Sequence, residues 1–427
     1  MKRVVVVPFA SRLHGEAYYS SVYEITRKYV EDSRVGAEIL PVITTSEEIA
    51  EIAEKYTDTL PVLVALTGGV SKLMREFVYK GNHSRVVLFG HGGHNSLASA
   101  ISARSKLNLD GVKTALFHCF DVESPECLVE IKRMLRVTRA TSTLLGSRVL
   151  LVRPFAEKPN SALEFEERFE ATVDVFTIDD FTTSVKAIRE DYVNHFLEVF
   201  GKVEFRVQRD RLTEVAEVYA LLKSMAEEGR YDAIAVDCFP YLVKYRVTPC
   251  LALALLNSEG VVAACEGDLA SLALMAISRA LVGTAGWIAN AVAFKGKKSY
   301  FAHCTISLDM VKDPVVVTHF ESGHPYSLTG KLVGNVYTII SLSPDLKLMA
   351  TTTGRVLESG LLYGSMCRTQ AILELDVDSE KLPSVAVSNH HVLVPGDIRE
   401  DLATVASLLG INYVEYRELL APSKQRA

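Results

Sequence analysis

This chain of 427 residues is conspicuous for what it does not carry. It has no Cys-x-x-Cys, no Walker pattern, no Gly-x-Ser-x-Gly and no His-Glu-x-x-His. Those absences remove the thiolate zinc site, the P-loop, the nucleophile elbow and the zincin helix as explanations. The seven cysteines are an odd number in a long chain. They do not form a small-domain disulfide framework, so a reducing compartment, the cytoplasm, is expected. No apolar run reaches ~18 residues, which excludes a membrane-spanning helix. The short run Val4 to Val7 ends at Pro8 and is too brief for a signal peptide, so it reads as a first core strand. There is no basic surplus: the net charge is -6, the wrong sign for a nucleic-acid footprint. Low-complexity segments and short-period repeats are missing as well.

The remainder is ordinary globular material, 48% hydrophobic and 23% charged, long enough for two to four domains with filled cores. Residues 4–7, 61–66, 85–89 and 113–117 read as strands, and 21–29 and 46–56 as helices. Continuous β-branched runs between helices indicate a parallel sheet covered on both faces. The pattern restarts at Arg148-Val-Leu-Leu-Val-Arg-Pro-Phe155, which echoes residues 3–9. Strands at 173–178, 203–207 and 232–236 follow, with a helix over 212–229. Residues 261–265 and 285–289 read as extensions of this second sheet. After Pro314 short strands separated by turns dominate, at 315–320, 337–342, 347–352 and 370–375, which indicates an antiparallel β-domain or small barrel. A helix at 398–409 comes near the end. The fold class is therefore α/β: two Rossmann-like parallel-sheet lobes, 1–143 and 144–312, then a β-rich domain, 313–427.

The richest stretch is Gly260-Val-Val-Ala-Ala-Cys-Glu-Gly-Asp268. A carboxylate ending a buried strand stands where open α/β sheets gather their ligand chemistry. Glu266 reads as a metal ligand or general base, or else as a cap for the helix that starts at Leu269. Asp268 reads foremost as that cap. Asn290 ends the apolar run Ala285 to Ala289 and is a ligand or an Asx turn. In Asn389-His-His391 the two imidazoles must face opposite ways on a strand, so at most one joins a given site. His303-Cys304 offers a thiol beside a base, or inert packing. Gly90-His-Gly-Gly-His94 lacks the dinucleotide fingerprint and reads as a cleft-lining loop.

Taken in order, several segments resemble the L-fucose isomerase-like superfamily, which includes L-arabinose isomerase. They are Asp237-Cys-Phe-Pro240, Thr248-Pro-Cys250 through Asn257, Gly260 to Asp268, Ala302-His-Cys-Thr305, His319-Phe-Glu-Ser-Gly323, Cys367-Arg-Thr-Gln370 and Asn389 to Asp397. The resemblance implies two Rossmann-like lobes with a C-terminal β-barrel, assembly into homo-oligomers (trimers or hexamers), and aldose–ketose interconversion with bound Mn²⁺ or another divalent cation. It also implies a metal held by a strand-end Glu, an Asp at the end of the next strand and a His near the C-terminus. Glu266 matches the first. The histidine falls on His390 or His391, with His391 preferred. The Asp position falls on Asn290, and that departure removes a negative charge and a proton acceptor.

The expected activity is accordingly a metal-dependent ketol-isomerase acting on a small sugar through an enediol, with no nucleic-acid or membrane partner. Glu266 and Asn290 are its expected catalytic residues. Glu266, Asn290 and His391 are the expected metal ligands. His303, Arg368, Gln370 and Arg12 are expected to hold sugar hydroxyls. Two alternatives keep the fold: a sugar-binding or regulatory protein without turnover, and another metal-assisted reaction such as aldol cleavage or epimerisation.

Overall fold

The computed structural model describes residues 1–183 and 189–421. The chain divides into two compact units. The first comprises Met1–Leu145 with Asp401–Ile411, and the second Gly146–Glu400 with Asn412–Ala427.

In the first unit the β-branched runs become five parallel strands: β1 (Arg3–Phe9), β2 (Glu38–Ile39), β3 (Thr59–Ala65), β4 (Arg85–His91) and β5 (Lys113–Cys119). Their order is 2-1-3-4-5. β1 is buried from Val4 onward and β3 throughout, as strands covered on both faces must be. The helices at 21–29 and 46–56 are found as Glu16–Asp32 and Ser46–Ile52, the latter starting from a Thr45–Glu48 capping box. One cysteine expectation is corrected here. Cys119 at the end of β5 and Cys127 in the first turn of helix Pro125–Leu144 are joined by a disulfide. The tight strand-to-helix turn brings the two together without any Cys-x-x-Cys spacing.

The second unit opens with a smaller parallel sheet. Its strands are β6 (Arg148–Arg153), β7 (Thr172–Thr177), β9 (Ala233–Val236) and β10 (Val262–Cys265), in the order 10-9-6-7. Between them in sequence, β8 (Glu204–Phe205) joins β13 (Val311–Thr318) and β14 (Pro325–Leu332) in a separate three-stranded sheet. The remaining strands are β11 (Trp287–Lys295), β12 (Lys298–His303), β15 (Val336–Leu342), β16 (Leu348–Gly360), β17 (Thr369–Leu375) and β18 (His390–Pro395). These six close into an antiparallel barrel in the order 15-18-11-12-17-16, since β16 pairs back onto β15. β19 (Asn412–Glu415) adds parallel to β16. The fold is thus parallel α/β lobes with a C-terminal antiparallel barrel. The run at 285–289 does not extend the second sheet. Its last three residues open β11 of the barrel, which is hydrogen-bonded to β12 and β18. Among the described residues, no helix is long and apolar enough to cross a membrane.

Two local devices fix the strand that carries Glu266. Helix Cys250–Ser258 is buried along almost its whole length and packs beside β10. Its Asn257 amide donates to Leu253 O (2.9 Å) and Ala263 O (2.7 Å), while its Oδ1 accepts from Ala263 N (3.0 Å). A buried amide whose polar atoms are all paired locks register at no desolvation cost. Beyond the strand, helix Leu269–Val282 begins on Asp268, whose carboxylate accepts from Ser271 N at 2.9 Å. The helix ends on Gly283 in the left-handed region, with φ +85°.

Candidate metal and active site

Between that strand and that helix the backbone makes an uncommon turn. Glu266 has φ +58° and Gly267 φ +62°. A left-handed Gly is ordinary, but a left-handed Glu costs about 1–2 kcal/mol. Such outliers concentrate where side-chain placement matters more than comfort. The turn leaves the Glu266 carboxylate 3.2 Å from His303 Nε2 and 3.4 Å from His390 Nε2. One donor atom from each of Glu266, His303 and His390 lies within 4.8 Å of the other two.

His303 closes β12, where it is buried. His390 opens β18, and the ladder sets it opposite Asn290 of β11. Its Nδ1 meets Asp268 Oδ2 at 2.8 Å, whereas its Nε2 is buried and has no hydrogen-bond partner among the described residues. This is the arrangement in which a carboxylate orients an imidazole and leaves the other nitrogen free for a cation. Asp268 therefore does two things. It caps helix Leu269–Val282, as its position before Leu269 suggests, and it aims His390 from 122 residues away in sequence.

The electrostatics agree with an ionised site. Burial alone would raise the Glu266 carboxyl, but the His303 hydrogen bond and the positive potential of His303 and His390 bring it below its ordinary value. Asp268 is likewise lowered: desolvation opposes, and the bonds from His390 and Ser271 prevail. His390 is raised, since burial disfavours its charge while Asp268 and Glu266 favour it more. Asp237, at the end of the neighbouring strand β9, moves the other way. Desolvation first, and then Glu266, push its carboxyl up against the pull of Arg153. The sequence reading missed Asp237 as a site residue. Its position at the C-terminal end of a parallel strand, beside Glu266, was the available signal.

The other expected site residues are placed as follows. Asn290 lies on the same rung as His390, and its Oδ1 accepts from Asn389 Nδ2 at 3.2 Å. His391, preferred as the ligand from sequence, is turned away from Glu266. Its ring is buried, with Nδ1 3.2 Å from Asn389 O and Nε2 3.2 Å from Tyr416 Oη. Strand alternation requires this once His390 faces Glu266. Gln370 spends its amide on backbone: Leu362 N, Tyr363 N, Tyr363 O and Cys367 O. Arg368 donates to Thr318 O and Gly364 O. Arg12 belongs to the first unit, where its Nε donates to Thr44 Oγ1 at 3.2 Å. In that unit, His94 of the Gly90–His94 loop stacks on Tyr18 and stands 3.1 Å from His14.

Three buried histidines have a consequence for stability. Burial pushes His83, His319 and His391 down to about 4. The unfolded chain then binds more protons than the folded one between pH ~6.5 and ~4, so stability rises with pH across that window. At pH 5 each histidine removes about 2 kcal/mol relative to neutral pH. His390 opposes the trend, because its raised value contributes stability at low pH that is lost as pH rises. Burial lowers His91 as well, so with four against one the urea midpoint is expected to fall steeply from pH 7 to pH 5. A midpoint flat over that range contradicts neutral burial of these rings.

Residues 156–284 match the family described as the L-arabinose isomerase central domain. The matched segment contains Asp237, Glu266 and Asp268 and stops short of Asn290. It supports kinship with the arabinose isomerases, and through them a sugar isomerase, and says nothing of the fucose isomerases. No curated protein matches the chain.

Proposed function

We propose that this protein is a divalent-cation-dependent aldose–ketose isomerase. The observation that carries the reading is the buried, unpartnered Nε2 of His390, held by Asp268 and pointed at the same place as the Glu266 carboxylate and His303 Nε2. A carboxylate oxygen with two imidazole nitrogens suits a first-row divalent cation, the oxygen favouring Mn²⁺ and the imidazoles Fe²⁺ or Zn²⁺. The bound ion would supply Lewis-acid polarisation of the sugar carbonyl and its neighbouring hydroxyl. The chain's own residues do the rest. Glu266, ionised at neutral pH, is a ligand and the acceptor for the proton on the carbon next to the carbonyl. Asp237, whose raised carboxyl lies beside Glu266, is suited to carry a proton between the two sugar oxygens. The central-domain match supports a sugar as substrate. A cytoplasmic homo-oligomer, trimer or hexamer, belongs to the same reading.

A second reading rests on Asn290. The resemblance implies a carboxylate there, and this chain has an amide already engaged with Asn389. A sugar-binding protein without turnover fits that loss. The deciding experiment is turnover of C5 and C6 aldoses and ketoses by protein loaded with Mn²⁺. Interconversion supports the isomerase. Sugar binding without product, in folded and metal-loaded protein, replaces it with the second reading. Asn290→Asp restores an anion while keeping the acceptor that Asn389 uses. It is expected to tighten Mn²⁺ binding on the order of tenfold or more, the scale of groups that tune metal sites. Unchanged affinity by calorimetry places residue 290 outside the coordination sphere.

A further inference from the structure

The residues assigned above leave a second reactive cluster unused, one residue beyond His303. Cys304 Sγ lies 3.7 Å from Cys367 Sγ and 3.0 Å from His319 Nε2. His319 is itself held, with Nδ1 3.1 Å from Ser322 Oγ. The contact does not follow from strand register. The β12–β17 ladder pairs His303 with Thr369, and a further rung would set Cys304 opposite Arg368, so the bend at Cys304 after β12 and the loop before β17 bring the two sulfurs together. Both backbones are fixed. The Cys304 carbonyl accepts from Ser327 Oγ (2.5 Å) and Leu328 N (3.2 Å). The Cys367 carbonyl accepts from Gln370 Nε2 (3.0 Å), and Arg368 Nε ties the next residue to Thr318 O. Thus the four bonds of the Gln370 amide hold the Cys367 loop against Cys304.

We propose that Cys304 and Cys367 are a peroxide-reactive dithiol that closes to a disulfide. A disulfide needs about 2.05 Å between sulfurs. The two sulfurs, 3.7 Å apart, have about 1.7 Å to close. Cys367 is the more accessible sulfur, being partly exposed while Cys304 is buried. As thiolate, Cys367 attacks one oxygen of a hydroperoxide. The O–O bond breaks, an S–O bond forms, and the departing hydroxide takes up the proton that the Cys367 thiol gave up, leaving as water. Cys304 then attacks Cys367 Sγ while its proton passes to His319 Nε2. The S–S bond forms, the S–O bond breaks, and the leaving hydroxide takes that proton as a second water. Two thiols and one hydrogen peroxide yield one disulfide and two waters, and the sulfurs supply both electrons. His319 Nε2, 3.0 Å from the Cys304 sulfur, is the proton acceptor within reach. Cys250 and Cys265 are internal controls: both are buried, and the thiol contact at 3.7 Å is between Cys304 and Cys367.

The test uses the full-length folded protein with excess hydrogen peroxide, followed by alkylation in denaturant and peptide mass mapping without reduction. Of the five free thiols, two are expected to disappear. A Cys304–Cys367 linked peptide should appear and revert with dithiothreitol. Cys304→Ser should leave Cys367 to over-oxidise to sulfinic acid without a link. His319→Gln should slow linkage on the order of tenfold or more, as loss of a positioned base does. Five thiols surviving, a link between other cysteines, or sulfinic acid at Cys367 of the unsubstituted protein with no link each overturn the proposal. The readout is independent of activity. If the isomerase reading holds, turnover falls and recovers with the link, and if it fails, the link is still seen by mass.

Discussion

Glu266→Gln is expected to strip the protein of its divalent cation and to lower sugar interconversion by about 10²–10⁴-fold, while leaving the fold intact. The amide is nearly isosteric, so the left-handed turn at φ +58° and the packing of Asn257 against β10 are undisturbed. Charge is what changes. His303 Nε2 and His390 Nε2 lose the anion that sits 3.2 and 3.4 Å from them. A hard cation loses its only charged ligand within the three-residue cluster. The group best placed to accept a carbon-bound proton disappears as well, and that kind of loss alone costs the stated range. Elemental analysis of protein purified without chelator, beside single-turnover assays, reads both effects. Full metal content in the variant removes Glu266 as a ligand. Full metal with no turnover separates its role as base from its role as ligand. Stability should fall only modestly: the lowered Glu266 carboxyl stabilises the fold as the anion, and relief of like charge on Asp237 and Asp268 offsets part of its loss.

How much of this site was visible in the residues depends on how local each signal is. Glu266 was legible because a buried run, an acidic end and a helix start are all within nine residues. Asp268 as a cap was legible for the same reason. Its second partner, His390, was not, since that contact depends on where β18 docks. Alternation in Asn389-His-His391 implied that the two imidazoles face opposite ways, and in the structure His390 faces Glu266 while His391 faces Tyr416. Choosing between them required the pairing of Asn290 with His390, a register set by strands 100 residues apart. The run at 285–289 was read into the wrong sheet because an apolar strand following a helix looks alike in a parallel sheet and in a barrel. His303 was marked for sugar hydroxyls, yet its ring stands against the Glu266 carboxylate at the end of β12. Gln370 and Arg368 carry the polar chemistry expected of a binding residue and use it on backbone carbonyls and amides, which no sequence pattern distinguishes. The parallel lobes and the antiparallel C-terminal region, by contrast, follow from periodicity summed over many residues, which is why they were readable.

The paired substitutions His390→Ala and His391→Ala should give opposite phenotypes, although the positions are adjacent and both rings are buried. His390→Ala deletes the Nε2 aimed at the Glu266 carboxylate and the Nδ1 contact to Asp268, but leaves Asp268 bonded to Ser271 as the helix cap. Its expected cost is metal affinity, on the order of 10²-fold or more by the scale of perturbed metal sites, with a modest loss of stability. His391→Ala opens a cavity beside Phe301 and Tyr416 and breaks the bond to the Tyr416 hydroxyl. Its expected cost is stability, about 2–4 kcal/mol for a large buried side chain, with metal affinity per folded molecule unchanged. The pH dependence of metal binding gives an independent reading of the same assignment. Asp268 and Glu266 raise His390 above 6.5, and a protonated imidazole cannot bind a cation. Affinity in the unsubstituted protein should therefore climb as pH rises through that raised value, with proton release seen by calorimetry in buffers of different ionisation enthalpy. In His390→Ala this climb should flatten, and in His391→Ala it should persist. The opposite pattern would mean that β18 is shifted by one residue, because a single step of register exchanges the two imidazoles between the faces of the strand.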